Sequence, residues 1–323
     1  MSRATTVTSR LVAGTIAALV LAACSSVSDD SNTRSMTPTD PSRSVSEFNS
    51  QRHEFRTKEF YARPGGGGRG TGITYHGGTV IAGPAVTKVV AIYWAAGSIY
   101  ASQPSGTGGG SSDNSLIGKF LNHLGGSSYF NINTTYYNGS NTHVSNSVSY
   151  IDSTTDNYSR GKSLSDSDIQ AIVASQNPRD TNGVYFVLTS ADVTATSGFC
   201  TQYCGWHTHG TIGGLDIKYS FVGNPDRCPS SCAAQSIGPN DNAGADGMAS
   251  IISHELEEAV TDPDLNAWYD RQGAENADKC AWTFGSMSTA SNGSKYNMTL
   301  GSRNFLIQQN WVNSGNGFCA KSL

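Results

Sequence analysis

The stretch Ser253 to Pro263 reads SHELEEAVTDP, a histidine and three glutamates within five residues of a chain in which only 14% of residues are charged. An α-helix turns about 100° per residue. A helix starting near Gly247 therefore sets Met248, Ile252, Leu256 and Ala259 on one face. Ser250, Ser253 and Glu257 fall on the opposite face, which predicts a solvated Glu257. His254 and Glu258, one turn apart, stack along the border of the apolar face, and Glu255 turns further inward between Ile251 and Met248. A buried carboxylate without a partner is costly or shifts its pKa. Glu255 and Glu258 therefore require a cation, a donor network or a water-filled cleft, and any fold of this chain must supply one.

A metal ion is one such cation. HExxE is a carboxylate analogue of HExxH, in which the first and last residues reach one metal and the glutamate after the histidine deprotonates metal-bound water. A catalytic zinc site takes three protein ligands and keeps a position open. Downstream, YDRQGAENADKCAW offers Glu275 as the third ligand, with Asp278 read as a supporting or structural residue. Asp262 and Asp264 are rivals whose plainer reading is a turn that ends the helix. His207 and His209 in CGWHTHG would share one face of a strand. His207 is read as a donor that polarises a substrate carbonyl or as a ligand in place of Glu258; the plain alternative is a loop histidine beside a disulfide. His76 in TYHGG is read as a satisfied loop residue. The expected site thus has His254, Glu258 and Glu275 on Zn2+, Glu255 as general base and His207 beside the substrate.

The N-terminus carries a different message. Arg3 and Arg10 precede an apolar run from Leu11 to Ala22, the anatomy of a secretory signal. Leu21-Ala22-Ala23-Cys24 resembles the lipobox of bacterial lipoproteins, so residues 1–24 are expected to be a signal, with Cys24 lipidated. Residues 25–63 are rich in Ser, Asp, Thr, Arg and Pro without periodicity and are read as a disordered tether. The globular domain is expected over 64–323, in one core. Export, with a lipid anchor in the envelope or release, is the expected localisation, and the anchor is the expected membrane contact. Without Cys24 an even set remains: Cys200, Cys204, Cys228, Cys232, Cys280 and Cys319. In an oxidising compartment these predict disulfides, with Cys200–Cys204, Cys228–Cys232 and Cys280–Cys319 as the expected pairs. A CxxxC zinc site fits the spacing poorly.

The 36 glycines and a heavy Ser/Thr/Asn load predict many turns. A net charge of −4 without a cluster of Lys or Arg excludes a nucleic-acid partner. AVTKVVAIYW reads as a buried strand, SLIGKFLNHLGG as an amphipathic helix stopped at Gly125, and THVSNSVSYI as a half-exposed strand. Ser165 and Asp168 form a capping-box opening to the helix DIQAIVASQ; GVYFVLTS and LDIKYSFVG follow as strands. That order predicts a single α+β (mixed α/β) domain with a twisted mixed sheet and packed helices. No GxSxG elbow is present, and GGGGRG lacks the ending of a phosphate loop.

YHGG, FCTQYCGWH, FVGNPDRCPSSC, PNDNAGADGM and AVTDP resemble successive blocks of the phosphate-induced protein 1, or EXORDIUM, family. The resemblance runs from about Tyr75 to the C-terminus. It implies a secreted, cell-wall-associated protein and assigns no activity. Strands and helices leading to a metal-bearing helix resemble the zincins. Two readings follow: an exported zinc-dependent hydrolase, a metallopeptidase acting on a peptide or cell-wall-derived substrate as a monomer, or a non-catalytic envelope or extracellular binding protein of the EXORDIUM family, associated with cell wall or carbohydrate.

Overall fold

The computed structural model describes residues 52–63, 72–95 and 110–323, and their centre is the strand Thr87–Trp94, buried everywhere except at Lys88. A strand covered on both faces reads as a continuous β-branched run, which is why VVAIYW shows no alternation. The main sheet has six strands: β1 (His53–Arg56), β2 (Thr87–Trp94), β3 (Val148–Asp156), β4 (Gly183–Thr189), β5 (Tyr203–Ile212) and β6 (Leu215–Val222). Their spatial order is β1-β5-β6-β4-β2-β3. β3, β2, β4 and β6 run parallel; β5 is antiparallel to β6, and β1 to β5.

Parallel neighbours need crossovers, and helices provide them. After β1 comes the short α1 (Lys58–Ala62); α2 (Leu116–Leu124) joins β2 to β3, and α3 (Asp166–Ser175) joins β3 to β4. The Ser115 hydroxyl accepts from the Gly118 N–H at 2.9 Å to start α2, and the Ser165/Asp168 capping box starts α3 as the sequence predicts. β5 and β6 form a hairpin turned at Gly213 and Gly214, both at positive φ, which a two-residue turn of this kind needs.

The helix α4 (Ala243–Thr261) follows, lying against β5 and β6 on one side and α2 on another. Every residue from Met248 to Thr261 is buried, so the expected solvated face does not exist. Glu257 is the correction this brings. It is fully buried because the segments around Tyr129 and Gln308 cover that face, and the Tyr129 hydroxyl donates to its carboxyl at 3.0 Å. Burial pushes the pKa of Glu257 well up.

The other differences have equally local causes. The segment read as a tether is ordered at its C-terminal end: residues 53–56 are an edge strand and 58–62 a helix, held because Phe55 is a core residue and Arg52 is buried in ion pairs with Glu54 and Asp166. Residues 1–51, with the signal and Cys24, lie outside the described residues. The disulfides are Cys200–Cys228, Cys204–Cys232 and Cys280–Cys319. The last pair is the expected one. The first two replace the expected Cys200–Cys204 and Cys228–Cys232 pairs, because the turn entering β5 and the helical turn Pro229–Cys232 lie side by side, with Cα–Cα separations of 5.7 and 5.5 Å across the two rungs. Among the described residues no helix is long and apolar enough to cross a membrane.

Candidate metal centre

Strand register builds half of the site. His53 on β1 lies opposite His207 on β5, so both side chains emerge on the same face of the sheet. α4 crosses that face closely because β5 has a glycine there. A Cβ on Gly205 would stand 2.7 Å from Ile251 Cγ2 and 2.8 Å from Glu255 Oε1. One helical turn sets His254 Nε2 3.1 Å from Glu258 Oε1. The rest arrives through a folded loop. Asp262 Oδ1 accepts from the N–H groups of Asn266 and Ala267, Asp270 Oδ1 accepts from those of Gln272 and Ala274, and Lys279 Nζ binds Asp270 Oδ2 at 2.6 Å. The loop curls back until the Asp278 N–H donates to Glu258 Oε1 at 3.1 Å.

Two groups of candidate ligands result, sharing Glu258. His254, Glu258 and Asp278 form one, with His254 Nε2 3.6 Å from Asp278 Oδ1. His53, His207, Glu258 and Glu275 form the other, their ligand atoms all within 4.8 Å of one another. His53 Nδ1 is 3.0 Å from Glu258 Oε2 and 3.6 Å from Glu275 Oε1; His207 Nε2 is 3.7 Å from Glu275 Oε2. Glu275 lies beside Glu258 but meets the two strand histidines rather than His254, and Asp278, read from the sequence as a supporting residue, takes the place beside His254. Glu255 lies next to both groups, with Oε2 3.2 Å from His207 Nδ1 and its carboxylate accepting from the Phe55 N–H. His53 is the residue that sequence reasoning missed. Its segment has no periodicity, so nothing in the sequence marked it as a strand.

The remaining candidates have other occupations. His209 Nδ1 is 2.8 Å from Asp216 Oδ1, and Lys218 Nζ bridges Asp216 and Asp264 at 2.8 and 3.0 Å, so a cation already sits in that group. Asp262 ends α4 as a turn residue. His76 stacks on Tyr269 with ring centroids 3.7 Å apart.

Burial and charge work against each other in the cluster. Burial opposes charge on His53, but Glu275, Asp278 and Glu258 outweigh it and raise its pKa well above the usual range. Burial pushes His207 down to about 3. Burial, with the charge of Glu258, raises Glu255 well up and raises Asp278; burial also raises Glu275. Glu258 goes the other way: burial opposes its charge, yet His254 and His53 hold its pKa well below the usual range. Four carboxylates thus share a largely buried site with three histidines. His207 Nε2, Glu255 Oε1 and Glu275 Oε2 lack a hydrogen-bond partner. Buried polar atoms of that kind are ordinarily satisfied. Imidazole and carboxylate donors from four chain segments, unsatisfied and net acidic, fit a divalent ion of the zinc type. A cleft of about 380 Å³, lined by His53, Arg56, Tyr61, Gly273 and Asp278 among others, opens beside them.

Fold and site define a mixed α/β protein, stapled by three disulfides, with a histidine–carboxylate cluster between an interior helix and the antiparallel edge of its sheet. Residues 73–320 match the phosphate-induced protein 1 conserved region, and the chain belongs to that family. It is 34% identical over 192 residues to Protein EXORDIUM-like 3 of Arabidopsis thaliana, covering 48% of this chain and 56% of that one. To Protein EXORDIUM-like 5 of the same plant it is 32% identical over 243 residues, covering 61% and 67%. To Protein PHOSPHATE-INDUCED 1 of Nicotiana tabacum it is 34% identical over 142 residues, covering 38% and 43%. The chain therefore spans roughly two fifths to two thirds of the length of these relatives. No solved structure matches it.

Proposed function

We propose that this chain is an exported binding protein of the cell envelope or extracellular space, lipid-anchored through Cys24, whose buried cluster holds a zinc-type divalent ion. The observation that carries the reading is the convergence of His53, His207, His254, Glu258, Glu275 and Asp278 with ligand atoms left unsatisfied. Three disulfides favour an oxidising compartment. Dialysis of the purified chain against zinc, followed by elemental analysis, tests it. At least one equivalent retained by the wild type and lost from Glu258→Gln is the expected result; no retained metal overturns the reading.

A second reading, a zinc-dependent peptidase on a zincin-like scaffold, is favoured by Glu255 alone. Its carboxyl lies beside the ligand groups, and burial raises its pKa well above the usual range, as a general base or acid working near neutrality requires. The ion would polarise a bound water or carbonyl. His207 would hold Glu255 in place. Glu255→Gln should keep zinc and lose any measured peptide hydrolysis; unchanged hydrolysis removes Glu255 from the chemistry.

A further inference from the structure

β1 stands where a ligand would stand. Adding an extended segment to a sheet edge is a recurrent mode of peptide recognition, with main-chain pairing giving affinity and alternate side chains giving specificity. β1 makes that addition to β5, antiparallel, with His53 to Arg56 paired against His207 to Tyr203. Two observations separate it from the strands it joins. The family-matched region begins at residue 73, so β1 and α1 precede it. β1 also lies over the candidate metal centre: His53 reaches Glu258 and Glu275, the Phe55 N–H donates to Glu255, and the Phe55 ring lies 4.1 Å from the His254 ring.

Its side chains fill two sets of pockets. On one face the Arg52 guanidinium pairs with Asp166 and lies over the rings of Tyr203 and Trp206, at 4.7 and 5.5 Å. On the other, Phe55 sits between His254 and Trp282, the latter ring 4.8 Å away. The pockets are lined by residues of the matched family region. A basic residue, then a histidine, then an aromatic two further on would satisfy them from any extended chain.

We propose that the groove between β5 and α4 is a peptide-binding groove, occupied here by residues 52–56, which takes extended peptides of the pattern basic–His–x–aromatic in antiparallel pairing with β5. The histidine's contribution rests on the metal reading above; the pairing, the basic pocket and the aromatic pocket do not. Vacating the groove takes His53 away and uncovers Glu255 together with the remaining ligand residues.

The test uses the full chain with a specific protease site placed between Arg63 and Gly72. A fluorescent synthetic peptide with the sequence of residues 51–57 is added in excess before and after cutting, with zinc or with chelator, and followed by anisotropy. The cut chain should bind the peptide at least tenfold more tightly than the uncut chain. Peptides carrying Arg52→Ala or Phe55→Ala should bind at least tenfold more weakly, and His53→Ala should matter only with zinc. Uptake that ignores zinc would support the groove while removing His53 from the ligands of the ion. Absence of uptake by a cut chain that still holds zinc would overturn the groove alone. Collapse of the near-ultraviolet circular dichroism once the cut fragment leaves would also overturn it, making β1 an integral strand.

Discussion

Glu258 Oε2 lies 3.0 Å from His53 Nδ1 although 205 residues separate them in the chain. The same carboxylate presents Oε1 to His254 at 3.1 Å, so one side chain ties the edge strand to the interior helix. Its neighbour Glu257, one position earlier on the same helix, faces away and meets Tyr129. Two buried glutamates side by side therefore have opposite electrostatic lives: histidines hold Glu258 ionised, while burial drives Glu257 toward its neutral form.

That contrast yields a paired prediction. Glu257→Gln replaces a carboxyl already biased to neutrality by an isosteric amide, and zinc binding should stay within about twofold of wild type. Glu258→Gln removes the charge shared by both ligand groups and should weaken zinc by at least 100-fold, since losing even an outer partner of a metal ligand costs roughly 10- to 100-fold. Isothermal titration of both variants decides it. Equal effects would place the ion away from Glu258.

The sequence made much of this legible and hid the rest for definite reasons. Val89 to Trp94 are buried on both faces and announce a central strand; Ser165 and Asp168 announce a helix start because capping is local chemistry. Glu258 and His254 could be paired from helical spacing alone. Glu257 could not be placed, because its burial depends on Tyr129 and Gln308, distant in the chain. His53 was hidden for the same reason: its partners are strand pairing with His207 and a carboxylate from α4, and neither leaves a period in residues 25–63. The misassigned cysteines show the limit again, since two rungs between neighbouring segments and two local loops have identical spacing in sequence.

Those rungs should matter for stability. Cys200–Cys228 and Cys204–Cys232 each close a separation of 28 residues, for which chain entropy gives roughly 3 to 4 kcal/mol per bridge. Because the two loops almost coincide, the second bridge should add much less than the first. Denaturant titration of Cys200→Ala/Cys228→Ala, Cys204→Ala/Cys232→Ala and the variant lacking all four cysteines should give a small loss for either double variant, which keeps the other bridge, and more than twice that loss when both bridges are removed. Non-reducing peptide mapping that recovers Cys200 joined to Cys204 would refute the connectivity.

Asp246, in the first turn of α4, gives a pH signature away from the ligand groups. Burial pushes its pKa up to about 6 from an ordinary 3.8, despite its hydrogen bonds from Asn240. The folded state therefore holds the proton more tightly than the unfolded chain. Stability from this group is fully present below pH 3.8 and is lost as pH rises through about 6. Two pKa units bound the effect at about 3 kcal/mol. Asp246→Asn should flatten the decline of Tm between pH 4 and 6.5 relative to wild type. A parallel Tm profile in the two proteins would exclude a titrating Asp246.

Gly205 links the sheet to the site most directly. Alanine there puts a methyl carbon 2.7 Å from Ile251 Cγ2, 2.8 Å from Glu255 Oε1 and 3.1 Å from the Phe221 carbonyl oxygen. Two of those three neighbours belong to α4, so the helix must move away from β5 or the strand must bend. Overpacking of this kind costs about 1 to 3 kcal/mol. The same displacement draws Glu255 and Glu258 away from His207, so zinc affinity should fall at least tenfold along with Tm. Gly72→Ala, whose added carbon meets nothing within 4 Å, is the matched control and should change neither. A Gly205→Ala protein that loses stability but keeps full zinc affinity would show that α4 and β5 need not touch for the ligands to converge.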